Sequence, residues 1–211
     1  MHTIEANLKR YLDTECLLNH FFAVFDYCAA LCIKPAMERG GTGTVTVCCR
    51  KKYYNLHDLA HPAFDLLQQE RHRLYGKPGE RSRAASDSPC EYHNPGRGCL
   101  LTTHKSPTCL SFLCPEAIEV LRNEFGIFTY DYLGVYYALE WILTGDLPDR
   151  DYYAFRGSIL DMTKRFKELM AASAPGRQFE GSDDFADGGN AVIEAVAFEI
   201  CDNVRRREGI D

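Results

Sequence analysis

Apolar residues return every three or four positions through long parts of this chain, and that spacing commits it to helices. Ile4, Leu8, Tyr11 and Leu12, then Leu17, Leu18, Phe21, Phe22, Phe25 and Cys28, predict a helix within residues 4–36. Lys34-Pro35 is its stop, because a residue before proline resists helical angles. A second helix is expected over Leu56–Tyr75, closed by Gly76, and a third over Pro115–Phe125, closed by Gly126. Asp131–Thr144 carries Leu133, Val135, Leu139, Trp141 and Ile142 and ends at Gly145. Asp149–Ala172 follows, with Phe155, Ile159, Met162, Phe166, Leu169 and Met170 on one stripe. A last helix begins at Asn190, with Val192, Val196 and Ile200 inward. Only Thr44–Val47 is prone to form a strand. The fold class is therefore mostly α.

The interruptions set the organisation. Gly40, Gly41 and Gly43 make one turn. Residues 76–89 and 173–189 are rich in Gly, Ser and charged groups, which reads as loop. The chain reads as one domain over 1–211, with a cysteine-rich segment at 44–115 and C-terminal helices over 116–207. The 211 residues, 45% of them hydrophobic, are enough for a real core.

Ten cysteines are more than packing alone explains. Met1–Leu12 lacks the apolar stretch of a signal peptide, and no apolar run reaches membrane-spanning length, so the expected address is the cytoplasm. Thiols there stay reduced, and a large number of them points to metal binding, redox chemistry or burial. Cys16, Cys28, Cys32 and Cys201 lie in apolar periodic stretches and read as packing groups. Cys48, Cys49, Cys90, Cys99, Cys109 and Cys114 lie in polar sequence punctuated by Gly and Pro.

Those six are the candidate metal ligands. Gly96, Gly98, Pro95 and Pro107 let the backbone turn between the last four, so four thiolates can meet at a tetrahedral ion or an iron–sulfur cluster. Cys48 or Cys49 adds a ligand from far upstream. Cys114 precedes Pro115, which favours it as a helix N-cap, where the dipole stabilises a thiolate. The spacings lack the close knuckles of structural zinc, so an iron–sulfur cluster leads and zinc is the alternative. Burial of Leu100, Leu101, Leu110, Phe112 and Leu113 falls short of the cost of ordering residues 90–114, so metal is expected to hold that segment.

The run from Cys90 through Gly98-Cys99-Leu100 to Cys109, Phe112 and Cys114, with Cys48-Cys49-Arg50 upstream, resembles the CxxCxxCC family of zinc- or iron-chelating proteins. That family includes the YkgJ-like proteins and the flagellin lysine methylase FliB. The resemblance covers about residues 44–115 and implies metal chelation. The family places further cysteines just before the double cysteine, and Gly41–Val47 has none: either Cys28 and Cys32 fold back to complete the set, or, as their apolar surroundings favour, this chain binds with fewer ligands.

Other signals are weaker. His57 and His61, at i and i+4, could clamp a metal on one helical face, but histidines at a polar helix start are more often solvent-facing. His93 and His104 lie inside the cysteine segment and read as loop histidines. Tyr130, Tyr132, Tyr136, Tyr137, Trp141, Tyr152 and Tyr153 read as packing, with an oligomer interface open. A net charge of -6 argues against general nucleic-acid binding, and Arg205-Arg206-Arg207 suits a helix C-terminus. The leading reading is a metal-binding protein with a redox or structural role. The alternatives are a FliB-like protein methyltransferase and an interaction protein with buried, reduced thiols. A protein partner or a homo-oligomer remains open, and no membrane is expected.

Overall fold

A computed structural model describes residues 2–28, 30, 53–56, 60–77, 90–94 and 98–173. Within them the chain is mostly helical. Helix α1 (Ile4–Val24) begins at Thr3, whose hydroxyl accepts the Ala6 N–H at 3.2 Å. Helix α2 is Pro62–Tyr75. A minimal antiparallel ladder, β1 (His93–Asn94) with β2 (Gly98–Cys99), pairs His93 with Cys99. Helices α3 (Pro107–Ser111), α4 (Pro115–Asn123), α5 (Tyr132–Thr144) and α6 (Asp149–Ser173) follow. No helix among the described residues is long and apolar enough to cross a membrane.

Helix α1 is the hub, in contact with α2, α3, α5 and α6. Leu17, Leu18 and Phe21 meet Leu139, Ile142 and Leu143 of α5, Ile159, Met162 and Phe166 of α6, and Leu67 of α2 in one core. Phe25 and Phe125 both pack on the Phe166 ring, at 5.4 and 4.6 Å. A second, smaller cluster holds Tyr54, Leu74, Tyr75, Tyr92 and Leu101.

The sequence located α5 and α6 to within a residue or two. Asp131 caps α5, accepting the Leu133 N–H at 3.1 Å, and Gly145 closes it in the left-handed region at φ 87°. Two other boundaries differ. Helix α1 ends at Val24, because Phe25 turns out to ψ 74° and stacks on Phe21 at 5.7 Å. Helix α2 begins at Pro62, six residues later than expected. Proline suits the first helical position and holds His61 extended, with the imidazole Nδ1 accepting the Ala63 N–H at 3.2 Å. His61 is thus a cap, and it shares no helical face with a partner histidine.

Cys16 is buried in the main core, as its apolar context implies, but it is disulfide-bonded, with its partner outside the described residues. The expectation of a reduced packing thiol is corrected there. Cys28 packs on the same core, outside any disulfide. The expected strand at Thr44–Val47, the helix after Asn190, and Cys32, Cys48, Cys49, His57 and Cys201 lie outside the described residues, as do positions 78–89.

Candidate functional site: thiols on a buried polar hub

The loop 101–106 passes between α1 and α2, and side chains from both helices bind its backbone. The Tyr75 hydroxyl accepts the N–H groups of Thr102 and Thr103, at 3.2 and 2.9 Å. Glu15 accepts from His104 N–H at 2.8 Å and Lys105 N–H at 3.0 Å, one through each carboxylate oxygen. Tyr11 Oη donates to the Lys105 carbonyl at 2.7 Å. Arg71 donates from Nε to the His104 carbonyl and from Nη1 to the Tyr54 carbonyl, both at 2.6 Å. Lys105 Nζ reaches back to Asn19 Oδ1 at 2.6 Å. Glu15, Arg71, His104 and Ser106 are all buried.

This network is built around a strained residue, and one of its buried atoms, Arg71 Nη2, has no hydrogen-bond partner. His104 sits at φ 60°, unusual for a side chain other than glycine. Such a conformation costs on the order of 1–3 kcal/mol and persists only where neighbours fix it. Here Glu15 holds its N–H and Arg71 its C=O. Burial raises the Glu15 carboxyl to about 7, against the pull of Lys105, the two backbone N–H groups and Arg71. Burial also lowers His104 to about 4, helped by Arg71, so its imidazole is neutral near pH 7. Its Nδ1 lies 2.9 Å from the Thr103 hydroxyl. That engagement makes His104 part of the hub.

The hub delivers the next residues to fixed places. Ser106 caps α3: its hydroxyl bonds the Tyr53 carbonyl and accepts the Cys109 N–H, the latter at 3.1 Å. Cys109 and Cys90 both pack on the small cluster of Tyr54, Leu74, Tyr75, Tyr92 and Leu101. Cys99 is exposed at the ladder, its thiol 3.8 Å from the Leu101 carbonyl. Burial pushes the Cys109 thiol up to about 11, a hydrogen bond from Ser106 opposes this, and the nearby Cys99 adds to it. Cys90 and Cys109 thus share one small apolar cluster, and Cys99 lies near Cys109.

Cys114 does not join them in that cluster. It is the N-cap residue of α4, as the Cys-Pro pair predicts, but it makes no side-chain cap hydrogen bond and packs on the main core. The Glu116 carboxylate is held below the usual range by its own backbone N–H and then by a hydrogen bond from the Cys114 thiol. Among the described residues, no three His, Cys, Asp or Glu side chains converge closely enough to hold a metal ion.

The segment also has packing of its own. Leu101, Leu110 and Leu113 are buried, and α3 packs against α1 and α5. Counting only apolar side chains left out the hub. Glu15, Arg71 and Tyr75 were not singled out in the sequence, yet Glu15 gave a signal: it stands four residues after Tyr11, inside the apolar stripe of α1. A charge in such a position needs buried partners.

No protein family, curated protein or solved structure matches this chain.

Proposed function

We propose that the chain is a metal-binding protein whose site uses Cys90, Cys99 and Cys109 together with Cys48 or Cys49, and that it holds an iron–sulfur cluster or zinc. The observation that carries this reading is the packing of two thiols well separated in sequence, Cys90 and Cys109, on one small apolar cluster beside the hub, with Cys99 near enough to raise the Cys109 thiol. Burial and mutual repulsion disfavour thiolates at Cys109 and Cys99 together, and a bound cation reverses that preference. The fourth ligand comes from a part of the chain outside the described residues. The resemblance of the Cys90–Cys114 run to CxxCxxCC proteins points the same way. Cys114, on the other core, is a packing residue in this reading, and a cytoplasmic address belongs to the same proposal.

Iron, acid-labile sulfide and zinc measured on protein purified without oxygen test the proposal. Stoichiometric metal that is lost in Cys99→Ser and Cys109→Ser, and kept in Cys114→Ser, supports it. Metal-free protein with intact fold sinks it.

A second reading rests on Cys16. A buried disulfide is the bond of an oxidising compartment. In this reading the remaining thiols serve redox pairing, and a count of free thiols in the denatured, unreduced protein separates the two.

A further inference from the structure

Five of the six large apolar side chains left exposed among the described residues, Phe128, Tyr132, Leu133, Tyr137 and Trp141, fall in one stretch of chain. From Asn123 to Asp149 that stretch holds five carboxylates, Glu124, Asp131, Glu140, Asp146 and Asp149, and no Lys, Arg or His. On helix α5, Leu133, Tyr137 and Trp141 stand at i, i+4 and i+8, which makes them one row, and they are 47%, 48% and 46% exposed. The Tyr137 and Trp141 rings lie 6.0 Å apart. Glu140 flanks the row beside Trp141, and Asp131 and Asp146 stand just beyond the two ends of the helix. Asp149 is paired with Arg10 and His2, whereas no cation among the described residues pairs with Asp131, Glu140 or Asp146. Contiguous exposed apolar surface of this kind marks an interface.

We propose that this face of α5 docks a basic amphipathic helix of a partner protein, its apolar stripe laid along Leu133, Tyr137 and Trp141 and its Lys or Arg side chains beside the three carboxylates. Such a helix anchors through its own i, i+3 or i+4 and i+7 positions. The row is about 12 Å long at 1.5 Å per residue, so three turns of a partner cover it. Gly134 lets the partner come close beside Leu133, because a Cβ added there meets only Asp131 side-chain atoms. The faces of Tyr137 and Trp141 also attract cations. Charge decides between occupants. A two-fold contact with a second copy uses one patch twice, and so sets these carboxylates against their equivalents. An anionic lipid surface is repelled by the same groups.

Trp141 is the chain's one tryptophan, so its fluorescence reads this face. The experiment titrates the full-length protein with a synthetic Leu/Lys peptide whose leucines recur at helical spacing, and with a scrambled peptide of the same composition. Acrylamide quenching is the readout. The expected result is saturable, one-to-one protection of Trp141, with quenching reduced several-fold, by the patterned peptide alone. Leu133→Ser, two turns from Trp141, and Glu140→Lys should each weaken the affinity about tenfold with circular dichroism unchanged. Should either variant lose helicity, Leu133→Ala and Glu140→Gln read the same effect in smaller steps. Equal protection by the scrambled peptide, or an affinity unchanged in either variant, overturns the proposal. Protection present before any peptide is added also overturns it: independent of dilution it assigns the face to the chain itself, and lost on dilution it assigns the face to a second copy. Protection by phosphatidylglycerol vesicles and not by the peptide overturns it in favour of a membrane.

Discussion

The carboxylate of Glu15 holds the backbone N–H of His104 at 2.8 Å, across 89 residues of chain. Burial shifts the two side chains in opposite directions, Glu15 up to about 7 and His104 down to about 4. A carboxyl raised on folding contributes stability that is full below its ordinary 4.5 and lost as pH rises through 7. An imidazole lowered on folding contributes stability that is full above 6.5 and lost as pH falls through 4. Between pH 4.5 and 6.5 the two effects oppose each other, so this pair gives a shallow profile. His104→Asn, which keeps a residue tolerant of positive φ, should leave Glu15 alone and make stability fall across pH 4.5–7. Glu15→Gln should show the reverse slope. Urea unfolding at half-unit pH steps checks both, and parallel slopes in the two variants would contradict the assignment.

Arg71→Met should destabilise the chain by about 3 kcal/mol, because it leaves the carbonyls of His104 and Tyr54 buried without their donor. Arg71→Lys should recover little. The two carbonyls take separate nitrogens of one planar fork, which a single ammonium cannot reproduce. Chemical denaturation gives both values, and a lysine variant as stable as the parent would show that only the charge matters.

Gly145→Ala should cost about 1–2 kcal/mol or more. The φ of 87° disfavours any L side chain, and its Cβ would come within 2.4 Å of Asn7 Nδ2. Gly157→Ala, in the middle of α6 with nothing within 4 Å of the added carbon, should instead stabilise by up to about 1 kcal/mol. The two thermal melts should move in opposite directions.

Alkylation should separate the clustered thiols by rate. Cys99 is exposed, whereas Cys109 is packed on the small cluster and raised to about 11. With iodoacetamide on metal-free protein at pH 8, peptide mass spectrometry should find Cys99 labelled first and Cys109 last among Cys90, Cys99 and Cys109. Equal rates would mean that the burial of Cys109 does not protect it.

The sequence was most legible where local chemistry sets the structure. Asp131, Gly145 and Asp149 mark α5 and α6 because caps and stops act within a turn or two. The start of α2 was missed because its apolar spacing extends upstream of Pro62, and proline outweighs spacing. Polar context grouped Cys90, Cys99, Cys109 and Cys114 with Cys48 and Cys49, and of the four that are described only Cys90 and Cys109 share a cluster. The separation of Cys114 depends on which of two cores α4 faces, and no local pattern carries that. The hub was illegible for a related reason: its bonds join residue 15 to 104 and 105, and residue 71 to 54 and 104.

Those long loops set an order of assembly during synthesis. Glu15 leaves the ribosome some 90 residues before Lys105, its partner at 3.0 Å. At 5–20 residues per second the wait is about 5–18 s. Throughout that time α1 carries a carboxylate in the middle of its apolar stripe, which discourages premature burial of that face. The same group that fixes the loop 101–106 in the finished protein thus keeps the nascent helix from settling against the wrong surface.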